Sequence, residues 1–256
     1  MAAAAVAFVR RQLVEEYPEH FRWEAAGSGG GLLSCALTGE RLLLDGKERL
    51  AAVEAPREAV SPPYASALDA LASQVQEDLN IVFRQADGSD WLAAAHACAP
   101  NYWSPEEKVG LDFAGVHAPV AGIEPITAQA PRWVRAMVLK GPFVRFAWGI
   151  GADTRLNHHP VPPPGVAPEA WRGRGFDAAR PRLFLRVERQ VLWGLPEVSA
   201  ALFVIRTSFR DGEVLRRDPE LAAKLAAAIE SMSAASRQYK GLTGSAEAIV
   251  TWLRGA

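Results

Sequence analysis

Cysteine is scarce. Cys35 and Cys98 are the only two in 256 residues, they lie far apart, and neither belongs to a CxxC pair. That excludes a disulfide framework and leaves no cysteine set for a zinc ribbon or a self-contained iron–sulfur centre; reduced, buried thiols are the plain reading. An excess of charge of one sign is missing too. Twenty-eight Lys and Arg stand against 29 Asp and Glu, a formal net charge of −1 with a pI of about 6.5. No long-range basic field therefore gathers nucleic acid or an anionic membrane surface. No apolar run reaches the length of a membrane span. The alanine-rich segment Met1–Val9 has no cation ahead of it, Arg10 and Arg11 behind it, and Glu15 and Glu16 soon after. A secretory signal has the opposite order, so the segment is expected to be a first helix and the protein cytoplasmic.

The common chemical motifs are absent as well. The five histidines, His20, His96, His117, His158 and His159, show no HExxH spacing and join no cysteine cluster. A metal site built by the protein alone would need ligands from distant segments. There is no GxSxG elbow, no Walker loop and no GxGxxG after a strand; Gly27–Gly31, broken by Ser28, reads as a flexible turn. A hydrolase triad and a self-contained nucleotide site have no local support.

What is present is ordinary globular material, 49% hydrophobic and 22% charged, enough to bury one substantial core. Met1–Glu16 favours helix, ended by Pro18. Leu32–Leu44, broken at Thr38-Gly39, reads as two short strands. Ala65–Leu79 carries Leu68, Leu71, Ala72, Val75 and Leu79 at helical spacing. Asn80–Gln85 reads as a strand, and Trp91–Ala99 as a returning strand or short helix. Ser104, Pro105 and Glu107 mark a helix start. Pro131–Leu139 is expected to be helical, with Trp133, Val134 and Met137 on one side. Phe143–Ile150, Leu183–Trp193 and Ala201–Phe209 are strand-like, with the proline- and glycine-rich His158–Pro181 as an irregular excursion. Pro219–Met232 and Glu247–Arg254 close the chain as helices. Strands and helices that do not strictly alternate predict an α+β fold with an antiparallel sheet. Residues 1–60 are expected to form a helix and short strands packed on a main domain of residues 61–256.

Two places invite chemistry. His117 sits in Val116-His117-Ala118-Pro119-Val120, where the proline stops any helix and fixes the backbone near the imidazole. One neutral imidazole at a helix end, facing an apolar cavity, can hold heme iron, because the porphyrin supplies the other four nitrogens; a structural histidine bonding a turn carbonyl is the alternative. Glu188 and Arg189 are neighbours on one strand, so they point to opposite faces. A buried carboxylate needs a partner, and Arg206 or Arg186 is available. Trp148, Trp171 and Trp193 suit a core or an aromatic cavity wall. His158-His159 reads as an exposed loop pair.

Several of these runs occur together in one family. Val75-Gln76-Glu77-Asp78-Leu79, Trp103-Ser104-Pro105-Glu106-Glu107-Lys108-Val109-Gly110, Val116-His117-Ala118-Pro119-Val120, Leu185-Arg186-Val187-Glu188-Arg189-Gln190, Leu195-Pro196, Phe203-Val204-Ile205-Arg206-Thr207 and Tyr239-Lys240-Gly241 resemble, in order, the alpha subunit of the heme-dependent oxidative N-demethylases. The resemblance runs from about Val75 to Gly241; residues 1–60 add little to it.

The resemblance implies a PAS-like fold, a five-stranded antiparallel sheet with helices around a heme b pocket. It implies oxidation of a small methylated amine with O2, a monooxygenase-type N-demethylation, with electrons from NADPH through FMN and a [2Fe-2S] centre on a partner reductase. By motif, His117 is the candidate iron ligand, Arg145, Trp148 and Arg189 accompany the heme, and Glu188 and Arg206 serve the amine and oxygen side. Two runs depart from the family. Its Arg-x-Asn-Trp reads Arg145-Phe146-Ala147-Trp148 here, and the threonine and basic residues expected after Gln190 are Val191-Leu192-Trp193-Gly194. If these positions line the pocket, the substrate is not dimethylamine. A heme PAS sensor without turnover and a heme-free scaffold are the competing readings.

Overall fold

The computed structural model describes residues 1–27, 29–54, 60, 62–173 and 175–255. Helix α1 (Ala2–Glu16) forms as its alanines predict and buries the stripe Ala5, Val6, Val9 and Leu13. Four short strands follow, β1 (Phe21–Ala25), β2 (Gly31–Cys35), β3 (Arg41–Leu44) and β4 (Leu50–Glu54), as an antiparallel meander in chain order. Only β2 and β3 are expected from the sequence. The outer strand β4 is almost wholly exposed and is held by its backbone ladder and an Arg41–Glu54 ion pair at 2.7 Å, so it carries no apolar pattern to read.

Helix α2 (Ala67–Ala72) is shorter than the Ala65–Leu79 expected. Ser66 caps its start. After Ala72 the chain turns, and Gln74 is buried with its amide on the Glu40 carboxylate and the Ala70 carbonyl. Leu79, which completes a helical period in the sequence, instead belongs to strand β5 (Asp78–Arg84). Pairing on both edges of that strand outweighs the extension of one exposed-sided helix from Ala72 to Leu79.

Strand β6 (Asp90–His96) returns beside β5. Four short helices then cross the sheet, α3 (Pro105–Lys108), α4 (Phe113–His117), α5 (Glu124–Thr127) and α6 (Ala130–Leu139). Helix α3 starts where expected, but the Ser104 hydroxyl donates to Glu106 at 2.7 Å and makes no cap. In α6 the buried residues are Ala130, Val134 and Val138. Trp133 stays exposed, which corrects the expected side: the four-residue spacing sets the buried stripe.

The chain continues through β7 (Phe143–Gly151), α7 (Pro168–Trp171), β8 (Phe184–Leu195), β9 (Ala200–Asp211), α8 (Gly212–Arg216), α9 (Pro219–Glu230), α10 (Ala234–Tyr239) and α11 (Ala246–Arg254). Five strands form one antiparallel sheet in the order β6-β5-β9-β8-β7. The architecture is thus α+β, two antiparallel sheets with flanking helices. Among the described residues no helix is long and apolar enough to cross a membrane.

Alternation gives the larger sheet two different faces. The back is covered at one end by α1, α2 and the small sheet, which share a core with Leu79, Ile81, Leu195, Ala200 and Leu202. At the other end Ala226, Ile229, Ile249 and Leu253 of α9 and α11 share a core with Leu183, and Trp148 and Ile150 pack against it. The front is roofed at one end by α4 and α6, where Phe113, Ala130 and Val134 meet Val82. Gly194 is the contact that lets α6 close on β8: a Cβ there would lie 2.5 Å from the Val138 carbonyl. Trp193, on the back, stacks against Phe8 of α1 at 5.5 Å between centroids. The Val191-Leu192-Trp193-Gly194 departure therefore serves helix packing.

Candidate functional site

Helix α4 is capped by Asp112, whose carboxylate accepts the Gly115 N–H at 2.7 Å. Phe113 and His117 stand four residues apart, on one helix face, with ring centroids 4.3 Å apart. Phe113 packs toward the sheet, so His117 is carried over the same front face. His117 Nδ1 lies 2.8 Å from the Phe113 carbonyl oxygen. A carbonyl only accepts, so Nδ1 carries the proton and Nε2 is left with its lone pair. Burial pushes this imidazole below its ordinary pKa, the Phe113 carbonyl opposes the shift, and Arg145 and Lys108 reinforce it. Its resting form is neutral.

Below it, strands β7, β8 and β9 present a connected polar row. The register places Arg145 opposite Gln190, and Ala147 opposite Glu188, which in turn faces Thr207. Arg145 Nε donates to Gln190 Oε1 at 2.6 Å, Gln190 Nε2 donates to Glu188 Oε2 at 3.0 Å, and Arg186 Nε donates to Glu188 Oε1 at 3.2 Å. Arg186 Nη2 also reaches the Ala99 carbonyl and Thr207 Oγ1. Asp78 of β5, only 2% exposed, shares this face through Ile205 and Gln190 and accepts the N–H groups of Cys98 and Ala99 at 2.7 and 2.8 Å. Burial lifts its carboxyl pKa against those bonds and the pull of Arg186.

The C-terminal segment adds a cation at the rim. Lys240 donates to the Trp148 carbonyl on the free edge of β7 and lies over the indole at 5.0 Å. Burial lowers its pKa, with Glu188 opposing, while burial and Glu188 together raise that of Tyr239.

The structure splits the residues singled out from the sequence. His117, Arg145 and Glu188 belong to the front face. Trp148, Arg189 and Arg206 alternate onto the back: Arg189 opposes both Phe146 and Arg206 there, and Trp148 packs on the C-terminal core. Arg206 is therefore not the partner of Glu188; it pairs with Glu77 at 3.0 Å with half its side chain exposed. The partner is Arg186, two residues along the same strand face. His158 also differs from the exposed loop histidine expected. It is 7% exposed, tied by an isolated parallel bridge to Asn101, with Nε2 3.1 Å from Asp153. His159 does reach outward, to Glu106 at 3.2 Å. Gln190 and Asp78 were not singled out in the sequence reading, which named Arg186 only as one of two available partners for Glu188, although Arg186, Glu188 and Gln190 at alternate positions of one strand were the visible trace of the row. Among the described residues no three His, Cys, Asp or Glu side chains converge as a metal cluster.

Fold and site together define an α+β protein that holds one neutral imidazole above a hydrogen-bonded Arg–Gln–Glu–Arg row. The chain belongs to the family described as haem-dependent oxidative N-demethylase, alpha subunit-like, whose model matches residues 1–250 of its 256. The match takes in α1 and the four-stranded sheet, which the resemblance from Val75 onward leaves out; that region is part of the family pattern. The family description points to heme-dependent oxidative chemistry and to an enzyme with more than one kind of subunit.

Proposed function

We propose that this chain is a heme b-binding subunit that oxidises a methylated amine with O2, using electrons supplied by a partner. The observation that carries the proposal is the His117 arrangement, a neutral imidazole with Nδ1 engaged by the Phe113 carbonyl and Nε2 without a partner among the described residues. His117 would hold the heme iron in this form, because a bond at one nitrogen fixes the tautomer and leaves the other as a donor. The rest of the donor set fits the group as well. Arg145 provides a guanidinium group of the kind that receives a carboxylate, and Phe113 supplies an aromatic surface beside the imidazole. Support for a PAS-like scaffold comes from the strand order, 2-1-5-4-3 when the five strands are numbered along the chain, with four helices inserted between the second and third. The division at residue 60, a cytoplasmic location, and FMN and [2Fe-2S] on an NADPH-dependent partner complete the reading.

Heme, when bound, supplies an iron at which O2 is activated. The chain's own residues do the positioning. Glu188 is half-buried and has each oxygen held by one donor, Arg186 or Gln190, so a lone pair on each stays available to an alkylammonium. Gln190 holds Arg145 in turn, so the amine-binding carboxylate and a cation whose charge acts on His117 are held as one unit. Ala147, in place of the family's asparagine, lies directly opposite Glu188; the departure seen in sequence falls inside the site.

The first test is the visible spectrum of protein expressed with a heme precursor. A Soret band is expected, and oxygen uptake with an amine and a reductant should follow; no band overturns the proposal. A second test is Glu188→Gln, which keeps an acceptor for Arg186 but removes the charge. Amine affinity should fall about 10- to 100-fold, the worth of one charge-assisted bond, with the Soret band retained. Unchanged affinity would place the amine elsewhere.

A further inference from the structure

Arg186 is only 4% exposed, yet while Nε and Nη2 are bonded, its buried Nη1 has no partner among the described residues. His158 shows the same pattern: Nε2 meets Asp153, and the buried Nδ1 has no partner among the described residues. Both residues are tied to one short segment, Arg186 by its side chain to the Ala99 carbonyl and His158 by its backbone N–H to the Pro100 carbonyl. Buried polar atoms are nearly always satisfied in folded proteins, and a charged donor costs most when it is not. The floor beside them is bare. Register sets Ala147 opposite Glu188 and Gly149 opposite Arg186, and a Cβ built on Gly149 meets nothing within 4 Å.

We propose that this groove binds an N-methylated α-amino acid, its carboxylate on Arg186 Nη1 and its alkylammonium on Glu188. The inference rests on the role given to Glu188 above and names the substrate class of that site. A zwitterion of this kind carries its two charges one carbon apart, and the groove offers a guanidinium and a carboxylate in contact at 3.2 Å. The Asp153 carboxylate holds the His158 proton on Nε2, so Nδ1 is an acceptor and suits an ammonium N–H or a bridging water. A simple dialkylamine would use Glu188 and leave both orphan nitrogens unsatisfied. The missing side chains at positions 147 and 149 give the additional carboxymethyl group room along β7.

Isothermal titration calorimetry on the full chain, with and without heme, compares N,N-dimethylglycine with dimethylamine. The amino acid should bind about tenfold tighter, as one added charge-assisted hydrogen bond allows. Gly149→Val fills the groove on an exposed-edge strand that tolerates valine, and should bring that ratio close to one. Equal or tighter binding of dimethylamine, no heat with either compound, or a ratio that Gly149→Val leaves unchanged overturns the inference. The heme reading fails separately. A protein with the amino-acid preference but no Soret band keeps the groove and loses heme, whereas a Soret band without the preference assigns Arg186 Nη1 to some other group.

Discussion

Replacing His117 by alanine should abolish or shift the Soret band, and added imidazole should restore it. The imidazole presents, from a helix that packs on the sheet, a neutral nitrogen of the ligating kind that has no hydrogen-bond partner among the described residues. Removing it leaves a ring-sized space beside Phe113, whose centroid lies 4.3 Å away, and a small heterocycle can enter such a space. The fold should survive, because Phe113, Ala130 and Val134 still hold α4 and α6 together. Acidity supplies a second readout. Burial holds the His117 pKa below 6.5, so the neutral form, present above that value, is lost only as pH falls through the lowered folded pKa. In the heme-free protein the His117 ring should therefore stay neutral on acidification past pH 6.5 and take up its proton only further down, as read by an NMR titration of the imidazole. A Soret band that is identical in His117→Ala would keep heme and move its ligand.

The largest loss of stability is expected from Asp78→Ala, about 3 to 5 kcal/mol, as for breaking other buried charge networks. The substitution strips the acceptor from the Cys98 and Ala99 N–H groups and takes the neighbouring negative charge from buried Arg186. For a chain of this size that corresponds to a fall in Tm on the order of 10 °C, to be read by calorimetry or urea titration. Asp78→Asn should cost less, since one acceptor oxygen remains, and it should alter the pH dependence. Burial raises the Asp78 pKa above 3.8; the folded protein holds that proton more tightly than the unfolded chain, so the contribution is full below that value and declines as pH rises through the folded pKa. Wild type should therefore gain on Asp78→Asn as pH is lowered from about 7 to about 4. A constant difference between the two would show that Asp78 is not protonated on that interval.

Much of the scaffold is legible without coordinates because its signals are local. Strands β7, β8 and β9 announce themselves by β-forming residues in runs too long for their surroundings, and α1, α9 and α11 by apolar residues at helical spacing. The elements that escaped have weak local patterns. Strand β4 is exposed and alanine-rich, β1 buries only Phe21 well, and the helical period through Val75 and Leu79 is overridden by the pairing of β5 on both edges.

The site divides along the same line. Sequence by itself determined the even polar row on β8, since alternation along a strand is a property of the backbone and puts Arg186, Glu188 and Gln190 on one face wherever that strand lies. It also determined that Glu188 and Arg189 part company, and that His117 ends a helix. Only the tertiary structure decided which cation meets Glu188. Facing pairs across strands depend on register, and register is set by hydrogen-bond ladders and by the two cores behind the sheet. One residue of offset on β9 would have brought Arg206 to the front; the register observed gives that place to Thr207 and leaves Arg186 to hold the carboxylate.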